Sequence, residues 1–184
     1  MGLTIADSYY LKAKSAIWGF CGDWEEACEA LNYALSYDET HCPSLCLLGE
    51  IYAKNLSRFS EAFACFDQVI AVDNSYVEVY PLYVKYLIWA EEQERAKKLI
   101  DFALTIKGVG RGSLLQLSSY IHETQGEYKT SLKQLKEAKK EAYNDNFFGY
   151  LEDEEERIKK KRKLNRMNGK KKKKVKKRNK KRKK

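Results

Sequence analysis

Asp and Glu are missing from the last 28 residues, and no aromatic residue follows Tyr150. Proline is nearly absent, with only Pro43 and Pro81 in 184 residues, so little in the chain forbids long helices. No apolar run reaches the ~18 residues that a membrane-spanning helix requires. The opening "MGLTIADSYY" has Asp7 where a secretory leader needs its apolar segment, and Ala6 where a myristoylation signal needs Ser or Thr. The five cysteines (Cys21, Cys28, Cys42, Cys46 and Cys65) are odd in number and contain no CxxC pair. That excludes a disulfide framework and suits a reducing compartment. A soluble, cytoplasmic chain is expected.

Catalytic chemistry is equally scarce. His41 and His122 are the only histidines. His41 stands beside Cys42 and Cys46, but the paired spacing and fourth ligand of a zinc set are lacking. It reads as a solvated turn histidine beside packing cysteines. His122 has no obvious nucleophile. "GVGRG" (108–112) follows no strand and reads as a turn between helices, not a phosphate loop. No enzyme activity, cofactor or metal is expected.

What is present is segregated charge. All 26 acidic residues precede residue 157, where only 15 of the 35 Lys and Arg lie, so the body carries −11. The 28 residues from Arg157 carry +20. Beyond Gly169 the chain has almost nothing apolar to bury and is expected to be disordered when alone. Such an arm displaces counterions from a phosphate backbone, with salt-sensitive affinity and, lacking aromatics, little base selectivity. Its polyanion-binding candidates begin with Lys159, Lys160, Lys161, Arg162, Lys163 and Arg166. Lys170, Lys171, Lys172, Lys173 and Lys174 follow. Lys176, Lys177, Arg178, Lys180, Lys181, Arg182, Lys183 and Lys184 complete the set. RNA or the ribosome is the expected partner. The alternatives are an anionic membrane surface and the chain's own acidic body.

The body is periodic. "GDWEEACEALNYAL" (22–35) is an amphipathic helix with Gly22 and Asp23 as turn and N-cap. Its stripe Trp24, Ala27, Leu31, Ala34 returns as Phe59, Ala62, Phe66, Val69, then Gln93, Ala96, Ile100, Ala103, then Tyr128, Ser131, Leu135, Ala138. The offsets are 35, 34 and 35 residues. Preceding helices carry Leu11, Leu45, Tyr80 and Leu114 at offsets of 34, 35 and 34. The small residues Ala27, Ala62 and Ala96 mark close helix crossings. A helix-turn-helix unit repeated four times predicts an all-α, right-handed solenoid in which neighbours supply each other's core. The units span about 8–41, 42–76, 77–110 and 111–143, within a repeat domain of 1–143. A capping helix over 144–166 and a basic tail over 167–184 follow. Phe147, Phe148, Tyr150 and Leu151 are expected to cover the end of the stack.

"LCLLGEIY" (45–52) followed by "EAFACF" (61–66) resembles the tetratricopeptide repeat pattern, and the resemblance extends over about residues 7–142. Glu39, Asn74 and Gly108 stand where that pattern has proline. "ALNYALSYDE" and "DFALTIKG", with the lysine arm, are similar to small cytoplasmic repeat proteins of Bacteroidetes-type bacteria. The resemblance implies a non-catalytic scaffold whose first helices line a groove for a protein or peptide. The groove residues it implies are Tyr9, Lys12 and Phe20, then Glu50 and Lys54, then Glu78, Lys85 and Trp89, with Ala16, Cys46, Leu115, Ser119 and His122 beside them. The family's carboxylate clamp for chaperone tails is not implied, since Lys12 alone matches it.

Overall fold

The computed structural model describes residues 2–18 and 22–181, with side chains described as far as Met167. Among them are nine helices and no strand. They fall into two compact units, Met1–Gly110 and Arg111–Lys184. The first unit holds three helix pairs: α1 (Ile5–Trp18) with α2 (Trp24–Tyr37), α3 (Cys42–Lys54) with α4 (Phe59–Val72), and α5 (Val79–Trp89) with α6 (Gln93–Ala103). The second holds α7 (Arg111–Thr124), α8 (Tyr128–Lys140) and α9 (Asp145–Lys181).

The second helix of each pair follows the sequence periodicity closely. Ala27, Ala62, Ala96 and Ser131 are fully buried, as are Leu31, Phe66, Ile100 and Leu135 one turn later. Small residues at the first of these rows let the paired backbones approach. Opposite them, on the first helices, lie Ala13, Gly49, Val84 and Ser119, all buried. In the fourth pair two serines meet at the crossing: the hydroxyls of Ser119 and Ser131 are 2.9 Å apart, and Ser119 also donates to the Ser131 carbonyl at 3.0 Å.

The turns explain why proline is dispensable. After α2 and α4 an aspartate folds back on the chain, so Asp38 accepts from the Thr40 N–H and Asp73 from the Ser75 N–H, each at 2.9 Å. These bonds hold both carboxyls below the usual range. Within the pairs, the turn carries one left-handed residue each time: Gly22, Ser57, Glu91 and Gly126. Asp23 caps α2 by accepting from the Glu26 N–H at 2.9 Å, as the sequence indicates.

In the first unit, α1 contacts α3 and α3 contacts α5, so the first helices form one continuous face. The core beneath joins Ala13, Ala27, Ala30 and Leu31 to Leu48 and Ile51. An aromatic cluster continues it, with Phe66 5.2 Å from Tyr83 and Phe63 5.4 Å from Tyr83. Tyr83 donates to Asp67 at 2.7 Å and accepts from Arg95 at 2.7 Å.

In the second unit, α9 packs against α8 and ties to α7. Leu151 and Ile158 are buried with Leu135 and Ala138. Phe147 is half-buried, while Phe148 and Tyr150 stay largely exposed, so the aliphatic residues cover more of this core than the aromatics do. The backbone of α9 continues past the expected boundary at Arg166 to Lys181. Lys and Arg are good helix formers, and Gly169 alone does not terminate the run. The expected disorder concerns residues 167–184, whose side chains after Met167 lie outside the described residues.

Candidate functional site

The first-helix face of the first unit contains a cleft of about 410 Å³ between α1, α3 and the start of α2. Tyr10, Lys14, Ile17 and Trp18 line it from α1, Leu47, Glu50, Ile51 and Lys54 from α3, and Trp24 from α2. Trp18 is 77% exposed. The Lys14 ammonium lies over two rings, 4.7 Å from the centroid of Trp18 and 5.4 Å from that of Tyr10. On α5 the pattern recurs: the Lys85 ammonium is 4.9 Å from Tyr86 and 5.1 Å from Trp89. Tyr86 and Trp89 meet edge to face at 5.2 Å, leaving Trp89 53% exposed. Tyr86 donates to Glu50 at 3.1 Å, which connects this group to the cleft.

The structure distributes the sequence-derived groove residues unevenly. Glu50 and Lys54 line the cleft, and Lys85 and Trp89 lie beside it on α5. Tyr9 does not face it; the ring stacks on Tyr33 and Tyr37 of α2, at 5.4 and 5.9 Å. Lys12 likewise turns to α2, 3.5 Å from Glu26. Glu78 is exposed at the start of α5 and accepts from the Tyr76 hydroxyl at 3.0 Å. Phe20 lies outside the described residues. Cys46 is buried, and Ser119 is committed to its partner serine. Leu115 packs on the α8–α9 core, and His122 contacts Glu127 at 2.8 Å.

The physical reason is register. Five residues separate α1 from α2, four separate α3 from α4, and three separate α5 from α6. Counting back from the aligned second helices, Lys14 corresponds to Glu50 and Lys85, and Trp18 to Lys54 and Trp89. The offset between the first two units is therefore 36 along their first helices, not the 34 that Leu11 suggests. Leu11 is 46% exposed, whereas Leu45 and Tyr80 are buried. The small-residue pair Ala13 and Ala27, matching Gly49 and Ala62, was the signal that fixes the register.

His41 is not the solvated turn residue that its position suggests. Its imidazole is largely buried, with Nδ1 2.7 Å from Ser44 Oγ and Nε2 3.2 Å from Asp7 Oδ1. This Asp–His–Ser chain bolts α1 to the start of α3. Ser44 is fully buried, so no substrate carbonyl can reach its hydroxyl. The thiols are no better as nucleophiles. Burial pushes Cys46 up to about 12 and Cys65 up to about 11, leaving little thiolate at neutral pH. Among the described residues no group of three or more His, Cys, Asp and Glu side chains converges as a metal set.

On α9 the inner cations are already engaged. Arg157 donates to Glu123 and Glu154, Lys161 lies 2.7 Å from Glu123, Lys159 contacts Glu155, and Lys160 lies 3.6 Å from Glu156. Glu123 is 5% exposed. Burial opposes its charge, but hydrogen bonds from Arg157 and Lys161 outweigh it and hold the carboxyl below its usual range. Among the described residues Arg162, Lys163 and Arg166 have no such partner; they line shallow clefts, with Lys129 of α8 beside Arg162 and Arg166. Lys170–Lys174, Lys176, Lys177, Arg178 and Lys180–Lys184 have side chains outside the described residues. Among the described residues no helix is long and apolar enough to cross a membrane.

No protein-family model matches this chain, and no curated protein matches it. Solved structures do. The crystal structure of MamA superposes with a TM-score of 0.60 at 15% identity, covering 94% of this chain and 99% of that one. The crystal structure of a tetratricopeptide repeat protein from Parabacteroides merdae ATCC 43184 gives a TM-score of 0.39 at 17% identity, covering 79% of this chain and 69% of that one. Paired helices at a 34–36-residue period, with small residues at each crossing, give the chain the fold of a tetratricopeptide-like helical-repeat protein.

Proposed function

We propose that the chain is a non-catalytic interaction scaffold whose first-helix face receives a segment of a protein partner. The observation that carries this reading is the cleft lined by Tyr10, Lys14 and Trp18 against Leu47 and Lys54, flanked by the exposed Trp89. Exposed aromatics beside a preformed concavity are the usual anchors of protein recognition. The test is retention of proteins on the immobilised full chain and on its Trp18→Ala, Trp89→Ala form. A partner kept by the first and lost by the second supports the reading; identical retention argues against it.

The arm is a second element of the proposal, an anchor for RNA or a ribonucleoprotein. Arg162, Lys163 and Arg166 favour it, because they are the first cations beyond the internal ion pairs, and 16 Lys and Arg run from Arg162 to the end. A truncation after Lys161 keeps the buried Ile158 and the Glu123 pairs. RNA binding that this truncation abolishes, with log K falling by roughly 0.7 per single-stranded phosphate contact for each decade of salt, supports an anchor. Equal binding by both forms removes it. The engaged Lys159, Lys160 and Lys161 favour the alternative, an arm laid on acidic groups of its own chain, only over this inner stretch.

A further inference from the structure

The first-helix face of unit one holds positive charge that its own carboxylates do not neutralise. Lys12, Arg58, Arg95 and Lys97 have ion-pair partners, while Lys14, Lys54 and Lys85 have none among the described residues. Two of these three are held against aromatic rings and so stand in defined places rather than sweeping through solvent. The carboxylate lining the same cleft, Glu50, accepts the Tyr86 hydroxyl. In repeat register the face reads Lys14, Glu50, Lys85 in one row and Trp18, Lys54, Trp89 in the next.

We propose that this face docks an acidic peptide segment bearing a bulky apolar side chain. The apolar side chain enters the cleft between Tyr10, Ile17 and Leu47. Acidic side chains on either side meet Lys14 and Lys54, and Lys85 extends the site along α5. The inference rests on the reading of this face as a peptide-binding surface and adds the chemistry of the peptide. The chain's own arm is excluded as occupant by like charge. A nucleic acid fits less well, because residues 1–110 carry nine basic against 16 acidic residues. A long phosphate backbone meets that net negative charge, whereas a short acidic segment senses chiefly the lysines within a Debye length of about 8 Å.

Tryptophan emission reads this face directly. Trp18 and Trp24 line the cleft, Trp89 stands on α5, and the chain has three tryptophans, none in the arm. The full chain is titrated with a short synthetic peptide of Glu and Asp around two Leu, with its Gln and Asn counterpart, and with oligouridine. The expected result is a saturable emission change with the acidic peptide, weakened about tenfold in the Gln and Asn counterpart and in Lys14→Glu, Lys54→Glu protein. Lys14→Gln, Lys54→Gln protein should show a smaller loss in the same direction, with an unchanged melting temperature. Equal responses to the two peptides overturn the acidic preference and leave the peptide-binding surface standing. No response to either peptide overturns both. A response to oligouridine that the lysine substitutions abolish, stronger than that to the acidic peptide, assigns the face to nucleic acid and overturns the proposal.

Discussion

A Cβ placed on Gly49 would stand 2.7 Å from Cε1 of Phe66 and 3.2 Å from the Ala62 carbonyl oxygen. α3 and α4 therefore cross at a distance that only hydrogen allows. Gly49→Ala gains about 1 kcal/mol of helix propensity but forces a methyl group into a filled core, which costs about 1–3 kcal/mol. We expect a net loss of about 1 kcal/mol, read as a lower urea midpoint with an unchanged slope. A raised midpoint would mean that Phe66 turns aside without penalty.

The same crossing shows what the sequence makes legible. Ala27, Ala62, Ala96 and Ser131 recur along the second helices, each covered on both sides, and their period survives into the structure intact. The first helices are harder to align, because the turn that joins each to its partner shortens from five residues to three. Leu11 fits the apolar pattern and is exposed, while the position that matters, Ala13, carries too little apolar surface to announce itself. Tyr9 and Lys12 were displaced from the cleft by that shift. Contacts formed only by stacking of successive pairs, such as Asp7 with His41 across 34 residues, leave no local pattern at all.

His41 is the next residue to alter. Its ring satisfies the buried hydroxyl of Ser44 on one side and reaches Asp7 on the other. His41→Ala strands that hydroxyl, at a cost of about 1–3 kcal/mol. Ser44→Ala added to it removes the orphan, so the double variant should be less destabilised than the two single losses summed. Strict additivity in denaturant unfolding would mean that the two side chains do not act as a unit.

Thiol chemistry supplies an independent check on the core. With Cys46 near 12 and Cys65 near 11, both pushed up first by burial, neither presents appreciable thiolate at pH 8. Both should resist a chromogenic disulfide reagent in the native protein and react at once in denaturant. Site-resolved mass spectrometry assigns the label. Rapid native modification of Cys46 would place the first-unit core in frequent opening.

Glu123 makes the second unit sensitive to acid. Burial alone would raise its pKa, yet Arg157 and Lys161 hold it down, so folding favours the ionised form. A depressed carboxyl contributes its stability above the unfolded value near 4.5 and loses it as pH falls through the folded one. Glu123→Gln keeps the shape and removes the charge, leaving the Arg157 guanidinium without its anion. The gap in stability between parent and variant should therefore be widest from neutral pH down to about 5 and close progressively below about 4.5. Arg157→Ala should cost about 2–3 kcal/mol at pH 7, at the low end for a broken buried pair because Lys161 still faces Glu123. It should also shift the acid transition upward, since the remaining lysine holds the carboxyl down less strongly. Chemical unfolding of the three proteins across that pH range decides the matter: a gap that stays constant through pH 4 would show that the charge of Glu123 does not hold α9 to α7.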